Sequence, residues 1–311
     1  MVGAWVTTRR PFFRPQWMLA VRRRAWRSLH ERDSRGFHLI VPPGDRFYAD
    51  PFLFEHQGQT FIFFEDYRHE TRKGVISCVS VDSTATSSSP VTVLEGANHL
   101  SYPFIFEVDG TIYLMPDASR KGRVELHRSV RFPTEWQFER VLLEQPAADP
   151  TLWEQDGTFW LFVNLSAAVT GLPCQDLHLF FSDSLAGQWS PHPKNPIVVD
   201  ASGARPAGRM FLDDGQLIRP AQDCSADYGS AIVLKRVLVL SRTDYEEETM
   251  ARISSEWLPR STGTHHFDHN TEFEVMDLRV NRRKTWREMA EGLVRRSGIV
   301  RRSSNDAAQD T

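Results

Sequence analysis

The chain has 311 residues, 41% hydrophobic and 25% charged, with 20 Phe and 9 Trp, which supplies apolar area for a packed core and excludes general disorder. A formal charge of -3 excludes nucleic acid as a bulk electrostatic partner. Cys78, Cys174 and Cys224 are widely spaced and odd in number, which argues against a zinc site and a disulfide framework.

Residues 1–36 are basic, with Arg9, Arg10, Arg14, Arg22, Arg23, Arg24 and Arg27. These arginines interrupt any signal-peptide core, and the chain has no apolar run long enough to span a bilayer, so a cytoplasmic protein is expected. The stretch from Gln16 to Val21 fits a strand that completes the last blade of a ring as a closing clasp.

From residue 37 to 280 the chain repeats itself. Four segments superpose: ADPFLFEHQGQTFIFFED from Ala49, SYPFIFEVDGTIYLMPD from Ser101, ADPTLWEQDGTFWLFVN from Ala148 and ARPAGRMFLDDGQLIRPAQD from Ala204. Their prolines, Pro51, Pro103, Pro150 and Pro206, are spaced as propeller blades are. In each segment a strand of aromatic and β-branched residues runs to a turn at Gly58, Gly110, Gly157 or Gly215, and a second strand follows. Outer strands are expected at Gly74 to Val81, Val124 to Arg128, Leu177 to Phe181 and Ile232 to Leu240. A weaker fifth copy, THHFDHNTEFEVMD, starts at Thr264. The fold class is therefore all-β, a five-bladed β-propeller. Residues 281–311 change pattern. Trp286, Met289, Ala290 and Leu293 fall at helical spacing, so a short basic C-terminal helix and a disordered SSNDAAQDT tail are expected. The basic ends suit a peripheral membrane or a glycosyltransferase partner, as well as plain solvation.

In a propeller the innermost strands border one axial funnel, so repeat-start residues converge there. They are Asp50, Tyr102, Asp149, Arg205 and one of His265 and His266, which would point to opposite sides on a strand. Second-strand ends add Glu65, Asp66 and Asp117, and the segment RPAQDCSADYG adds Arg219, Gln222, Asp223 and Tyr228. Loop capping, or a salt bridge of Asp223 with Arg205 or Arg219, is the structural alternative for these. Carboxyl pairs are what glycosidic cleavage needs, one protonating the leaving oxygen while another activates water or attacks the sugar. Asp50 is the candidate base or nucleophile, Asp149 a second carboxylate that orients substrate, and Asp117 or Glu65 the acid. Asp66, Tyr102, Arg205, Arg219, Gln222, Asp223, Tyr228, His265 and His266 are candidate substrate contacts. No cofactor is expected, with a calcium ion among the funnel carboxylates left open. A carbohydrate or glycoconjugate is the expected ligand.

The motifs FYADPFLFEHQGQTFIFFED, NHLSYPFIFEVDGTIYLMPD, FPTEW, WSPHPKNPIVVD, ARPAGRMF and IRPAQDCSADYG cover roughly Phe37 to Asp277. Together they resemble the N-terminal propeller domain of plant glucosamine inositolphosphorylceramide transferases and its stand-alone bacterial relatives. More distantly, the layout is similar to the five-bladed glycosidases that include glycoside hydrolase family 43. The first resemblance assigns sugar transfer to a separate C-terminal domain and so brings no transferase activity with it. The second implies that Asp50 matches a first-blade base or nucleophile. The later-blade acid glutamate of those glycosidases has no unambiguous counterpart here, and the closer family's Glu after Met-Pro or Ile-Pro is Asp117. Two functions follow as expectations: a carbohydrate-processing enzyme, or a non-catalytic glycan-binding accessory to a separate glycosyltransferase or polysaccharide assembly system.

Overall fold

The computed structural model describes residues 13–24, 35–165 and 174–283. Residues Trp17–Val280 form one compact unit that carries five antiparallel sheets. The chain ends, Met1–Gln16 with Asn281–Thr311, form a second unit, of which residues 13–16 and 281–283 are described, all in extended strand. The expected C-terminal helix and tail lie outside the described residues. So do Arg9, Arg10 and Arg27. Among the described residues no helix is long and apolar enough to cross a membrane.

The first blade comprises Arg46–His56, Gln59–Arg68, Lys73–Val81 and Val91–Leu94; the second comprises Ser101–Val108, Thr111–Asp117, Val124–Arg131 and Glu135–Leu143. The third has Ala147–Gln155, Thr158–Leu165 and Asp176–Ser182, with Ser190–Pro191 and Val198–Val199 sharing the outer edge. Phe211–Asp213, Gln216–Asp223, Ala231–Leu240 and Tyr245–Ser254 build the fourth. In the fifth, Phe273–Arg283 pairs with Phe267–His269 and Ser261–Gly263 on one side and with Phe13–Arg23 on the other, and His38–Ile40 completes the edge. The last blade thus draws strands from both ends of the repeat region, which hides sheet edges.

Each of the first four blades begins with a two-residue hairpin. Gln57-Gly58, Asp109-Gly110, Asp156-Gly157 and Asp214-Gly215 all have positive φ at both positions, the turn whose twist matches that of the flanking strands. Apolar packing crosses the blade boundaries. Phe52, Phe63 and Ile76 of the first blade join Phe104, Ile105 and Leu126 of the second and Leu161 and Val163 of the third. Leu19, Val21 and Ile40 of the fifth pack with Tyr48, Ile62 and Phe64 of the first. Buried backbone bonds add stitches, with Leu53 N–H donating to Asp268 Oδ2 at 2.9 Å and Phe267 N–H to Ala207 O at 2.9 Å.

Candidate active site

The repeat motif small residue, X, Pro has a backbone consequence. Proline has no N–H for the ladder and disfavours the right-handed helical region for the residue before it. In the first three blades the register breaks at this point, between Ala49 and Phe52, Ser101 and Phe104, and Ala148 and Thr151. Asp50, Tyr102 and Asp149 sit in these bulges at φ 53°, 44° and 52°. A left-handed conformation at a residue with a Cβ costs about 1–3 kcal/mol, and bulges of this kind re-aim side chains next to functional sites. Three repeats bear this strain at the same place, on the wall of the axis.

A second layer is set by the pairing itself. Glu65 lies opposite Ala49, Asp117 opposite Ser101, and Asn164 opposite Ala148, so these three are repeat-equivalent. All three, with Asp50, Arg205 and Tyr228, line a cavity of about 360 Å³. Phe47, Tyr67, His99 and Arg120 are also on its wall. Asn164 was not among the residues expected from the sequence, although it ends the third repeat segment as Asp117 ends the second.

Asp50 is buried at the junction of the first, second and fifth blades. Its Oδ2 accepts the Tyr102 N–H at 3.2 Å, and its own N–H donates to Asp277 Oδ2 at 3.3 Å. His265 Nε2 and His266 Nδ1 stand 3.7 and 3.8 Å from Asp50 Oδ1. Both histidines approach the same carboxyl because they precede the strand Phe267–His269, so strand alternation does not separate them. Burial pushes Asp50 up to about 7; His265 opposes this, and the nearby Asp149 and Asp277 add to it.

Beneath Asp50, Asp277 pairs through Oδ2 with His265 Nδ1, and its Oδ1 accepts the N–H groups of His265 and His266 at 2.8 and 3.0 Å. Burial would raise Asp277, but His265 outweighs it and holds the carboxyl below its ordinary value. The same pairing raises His265 against its own burial. Trp17 stacks on the His265 ring at 4.1 Å, fixing its plane. His266 is wedged between Phe52 and Tyr102, and burial drives it down to about 3, so it is neutral. Asp50, His265 and Asp277 bring ligand atoms within 4.8 Å of one another, the spacing a metal ion needs. A cation there would have to displace the direct His265–Asp277 contact.

Glu65 and Asp117 differ in support. Asp117 Oδ1 accepts the Ser119 N–H at 2.7 Å; burial and Asp149 raise it to about 6, with the Ser119 bond opposing. Glu65 Oε1 is buried without a hydrogen-bond partner. Burial, then the neighbouring Asp50, Asp117 and Asp149, raise Glu65 well above the carboxylate range. His99 Nδ1 accepts the Gly74 N–H at 2.9 Å, which leaves the ring proton on Nε2, 3.5 Å from Glu65 Oε1. Burial and Arg120 lower His99 to about 4, so it faces Glu65 as a neutral ring.

Asp149 is held differently. Arg205 Nε donates to its Oδ2 at 2.5 Å, Gln222 Nε2 approaches the same oxygen at 3.3 Å, and the Arg205 guanidinium lies 5.3 Å over the Tyr228 ring. Burial disfavours the Arg205 charge, but Asp149 outweighs it and raises the group.

The remaining candidates are engaged elsewhere. Tyr102 is fully buried, and its hydroxyl is spent on Thr151 Oγ1 at 2.7 Å and on the Gly208 N–H and C=O at 3.0 and 3.3 Å, so its side chain is a strut between blades. Asp66 pairs with Arg46 at 3.2 Å on the first blade. Arg219 makes a two-pronged bond to Glu247 at 2.7 and 2.8 Å and donates to the Gly203 and Ala204 carbonyls. Asp223 accepts from Arg252 Nε at 2.9 Å and not from Arg205 or Arg219.

Comparison with known proteins adds an identity to this geometry. The chain is 36% identical over 232 residues to glucosamine inositolphosphorylceramide transferase 1 of Arabidopsis thaliana, covering 71% of this chain and 30% of that protein. It is 39% identical over 204 residues to the protein of that name from Oryza sativa subsp. japonica, covering 65% and 27%. The chain thus spans about a third or less of the length of these curated relatives. Among solved structures, a family 117 glycoside hydrolase from Zobellia galactanivorans superposes with a TM-score of 0.53 at 13% identity, covering 86% of this chain and 90% of that one. A β-xylosidase gives a TM-score of 0.53 at 11% identity, covering 76% and 93%. At such identities the likeness is one of fold. The family model described as glucosamine inositolphosphorylceramide transferase 1, N-terminal, matches residues 41–281, and the chain belongs to that family.

Proposed function

We propose that the axial cavity binds a sugar unit of a glycoconjugate and acts on its glycosidic bond, with Asp50 as general base or nucleophile and Glu65 as general acid. The observation that carries this reading is the set of three buried carboxyls, Asp50, Glu65 and Asp117, that line one cavity. A base is most effective when poised near the working pH, and an acid must hold its proton there. Asp50, at about 7, meets the first condition, and Glu65, whose proton affinity is raised by burial and by Asp50, Asp117 and Asp149, is the carboxyl suited to the second. In the reaction Glu65 protonates the leaving oxygen while Asp50 takes a proton from water or attacks the sugar carbon. Asn164, Arg205 and Tyr228 supply hydrogen bonds and a ring face to hold the sugar.

One observation favours binding without turnover. Arg205 occupies the fourth-blade start and engages Asp149, and a guanidinium at that place orients a ligand but cannot give up a proton. In that reading the propeller presents a glycan to a separate glycosyltransferase, in keeping with the names of its relatives. A glycan-array screen of the wild-type chain, followed by mass spectrometry of every bound sugar after incubation, separates the two. Cleavage that is lost in Asp50→Asn while binding persists is the expected result; binding with no cleavage of any bound sugar overturns the catalytic assignment.

A further inference from the structure

His99 stands on the cavity wall but belongs to neither strand layer. It lies in the connection between Val91–Leu94 of the first blade and Ser101–Val108 of the second. Gly74 ties this connection down twice, its N–H donating to His99 Nδ1 at 2.9 Å and its C=O accepting the Leu100 N–H at 3.0 Å. The missing side chain permits the approach. A Cβ on Gly74 would lie 2.4 Å from Leu100 O, 2.7 Å from Glu65 Oε1 and 2.9 Å from His99 Cε1. Gly74 pairs with Tyr67, whose ring meets the His99 ring edge-on at 5.8 Å, and Glu65 lies two residues before Tyr67 on the same face of its strand. The imidazole is therefore fixed in place and in plane. Because Nδ1 accepts a hydrogen bond, the ring proton is on Nε2, 3.5 Å from Glu65 Oε1. Among the described residues, His99 is the only basic side chain in contact with the Glu65 carboxyl. Oε1 is the oxygen turned into the protein, so Oε2 is the one that faces the cavity.

We propose that His99 is the positioning residue of Glu65, its Nε2–H reserving Oε1 as an acceptor so that the carboxyl proton sits on Oε2, facing the cavity. The inference rests on the reading of Glu65 as the general acid. A proton on Oε1 would meet the Nε2–H donor against donor, whereas a proton on Oε2 leaves Oε1 a carbonyl oxygen that accepts. The 3.5 Å separation is long for a hydrogen bond to a neutral carboxyl. When Oε2 gives its proton to the leaving oxygen, negative charge reaches Oε1 and draws the N–H into a charge-assisted bond. His99 itself neither gains nor loses a proton. Asp50, Asp117, Asp149 and Asp277 surround Glu65 with charges that oppose its ionisation, so a donor aimed at the oxygen that receives the charge favours the proton's release. Arg120, also on the cavity wall, disfavours a charge on His99 and so keeps the ring in its neutral form.

The test uses the full chain and no sugar. Nitrogen-15 NMR of the wild-type histidine rings at neutral pH is expected to place the His99 proton on Nε2 and none on Nδ1; a proton on Nδ1 overturns the proposal, and this measurement needs no variant. Two substitutions then separate anchoring from donation. His99→Asn keeps an acceptor where Nδ1 stood but has no donor that reaches Glu65, and His99→Gln puts an amide N–H where Nε2 stood. Carboxyl carbon-13 titrations follow both, with an Asp117 midpoint still near 6 as the sign of an intact cavity. His99→Asn is expected to raise the Glu65 midpoint by about one pH unit, and His99→Gln to return most of that shift. A merely structural histidine gives the reverse order, because only asparagine preserves the bond to Gly74. No shift in either variant, or equal shifts in both, overturns the proposal. Cleavage of bound glycans is read separately: if none is cleaved while the Glu65 shifts appear, the assignment of Glu65 as acid fails and the positioning by His99 stands.

Discussion

Asp50 shows what a buried carboxyl costs the fold. Its folded-state value of about 7 lies above the ordinary aspartate value, so the folded chain holds a proton that the unfolded chain has released. The contribution is present in full below about pH 4 and is lost as pH rises through about 7. Asparagine keeps the acceptor for the Tyr102 N–H and carries no charge. Urea unfolding of Asp50→Asn should therefore match the wild type near pH 4 and exceed it by about 2–4 kcal/mol above pH 7. Equal stability at both pH values would mean that the carboxyl is solvated. A substitution that stabilises the chain and removes its activity marks a residue retained for chemistry.

At the scale of the strand, the X-Pro bulge joins sequence to site. Local signals reveal it: the recurring prolines and the Gly turns are short-range features, and they placed the inner hairpins and the third strands of the first four blades correctly. Asp117 and Asn164 were equally visible as the last residues of aligned segments, and Asp277 ends the fifth copy in the same way, yet only Asp117 was singled out. The partners of these residues were not visible. Arg205 meets Asp149, and Asp277 meets Asp50, only because different blades converge on one axis. Tyr102 shows the limit of reading a position by its repeat. It shares the strained backbone of Asp50 and Asp149, but its ring reaches past the cavity to Thr151 and Gly208 on the third and fourth blades. Tyr102→Phe should leave glycan binding unchanged and lower stability by about 1–3 kcal/mol, since the Gly208 N–H loses a buried acceptor. Thermal unfolding and the array screen check the two halves of that expectation.

For the propeller unit as a whole, stability depends on closing the ring. Leu19 and Val21 come from the N-terminal strand of the fifth blade, yet they pack against Tyr48, Ile62 and Phe64 of the first. The run around Gln16 to Val21 suggested a strand that completes the last blade, and Phe13–Arg23 pairs into that blade. Leu19 is fully buried, so Leu19→Ala should cost about 2–5 kcal/mol. If the ring is one cooperative body, the whole unfolding transition shifts together; a fifth blade that melts separately would appear as a second transition.

The proposed chemistry of the cavity rests on carboxyls held at different protonation states, and this is measurable without knowing the sugar. Carbon-13 NMR of side-chain carboxyls, assigned with Asp50→Asn, Glu65→Gln and Asp117→Asn, follows each group through a pH titration. The expected result is a midpoint near 6 for Asp117, near 7 for Asp50, and a Glu65 midpoint displaced well above that of an ordinary glutamate. All three ionising together in the ordinary carboxylate range, near pH 4, would contradict an acid–base pair in this cavity.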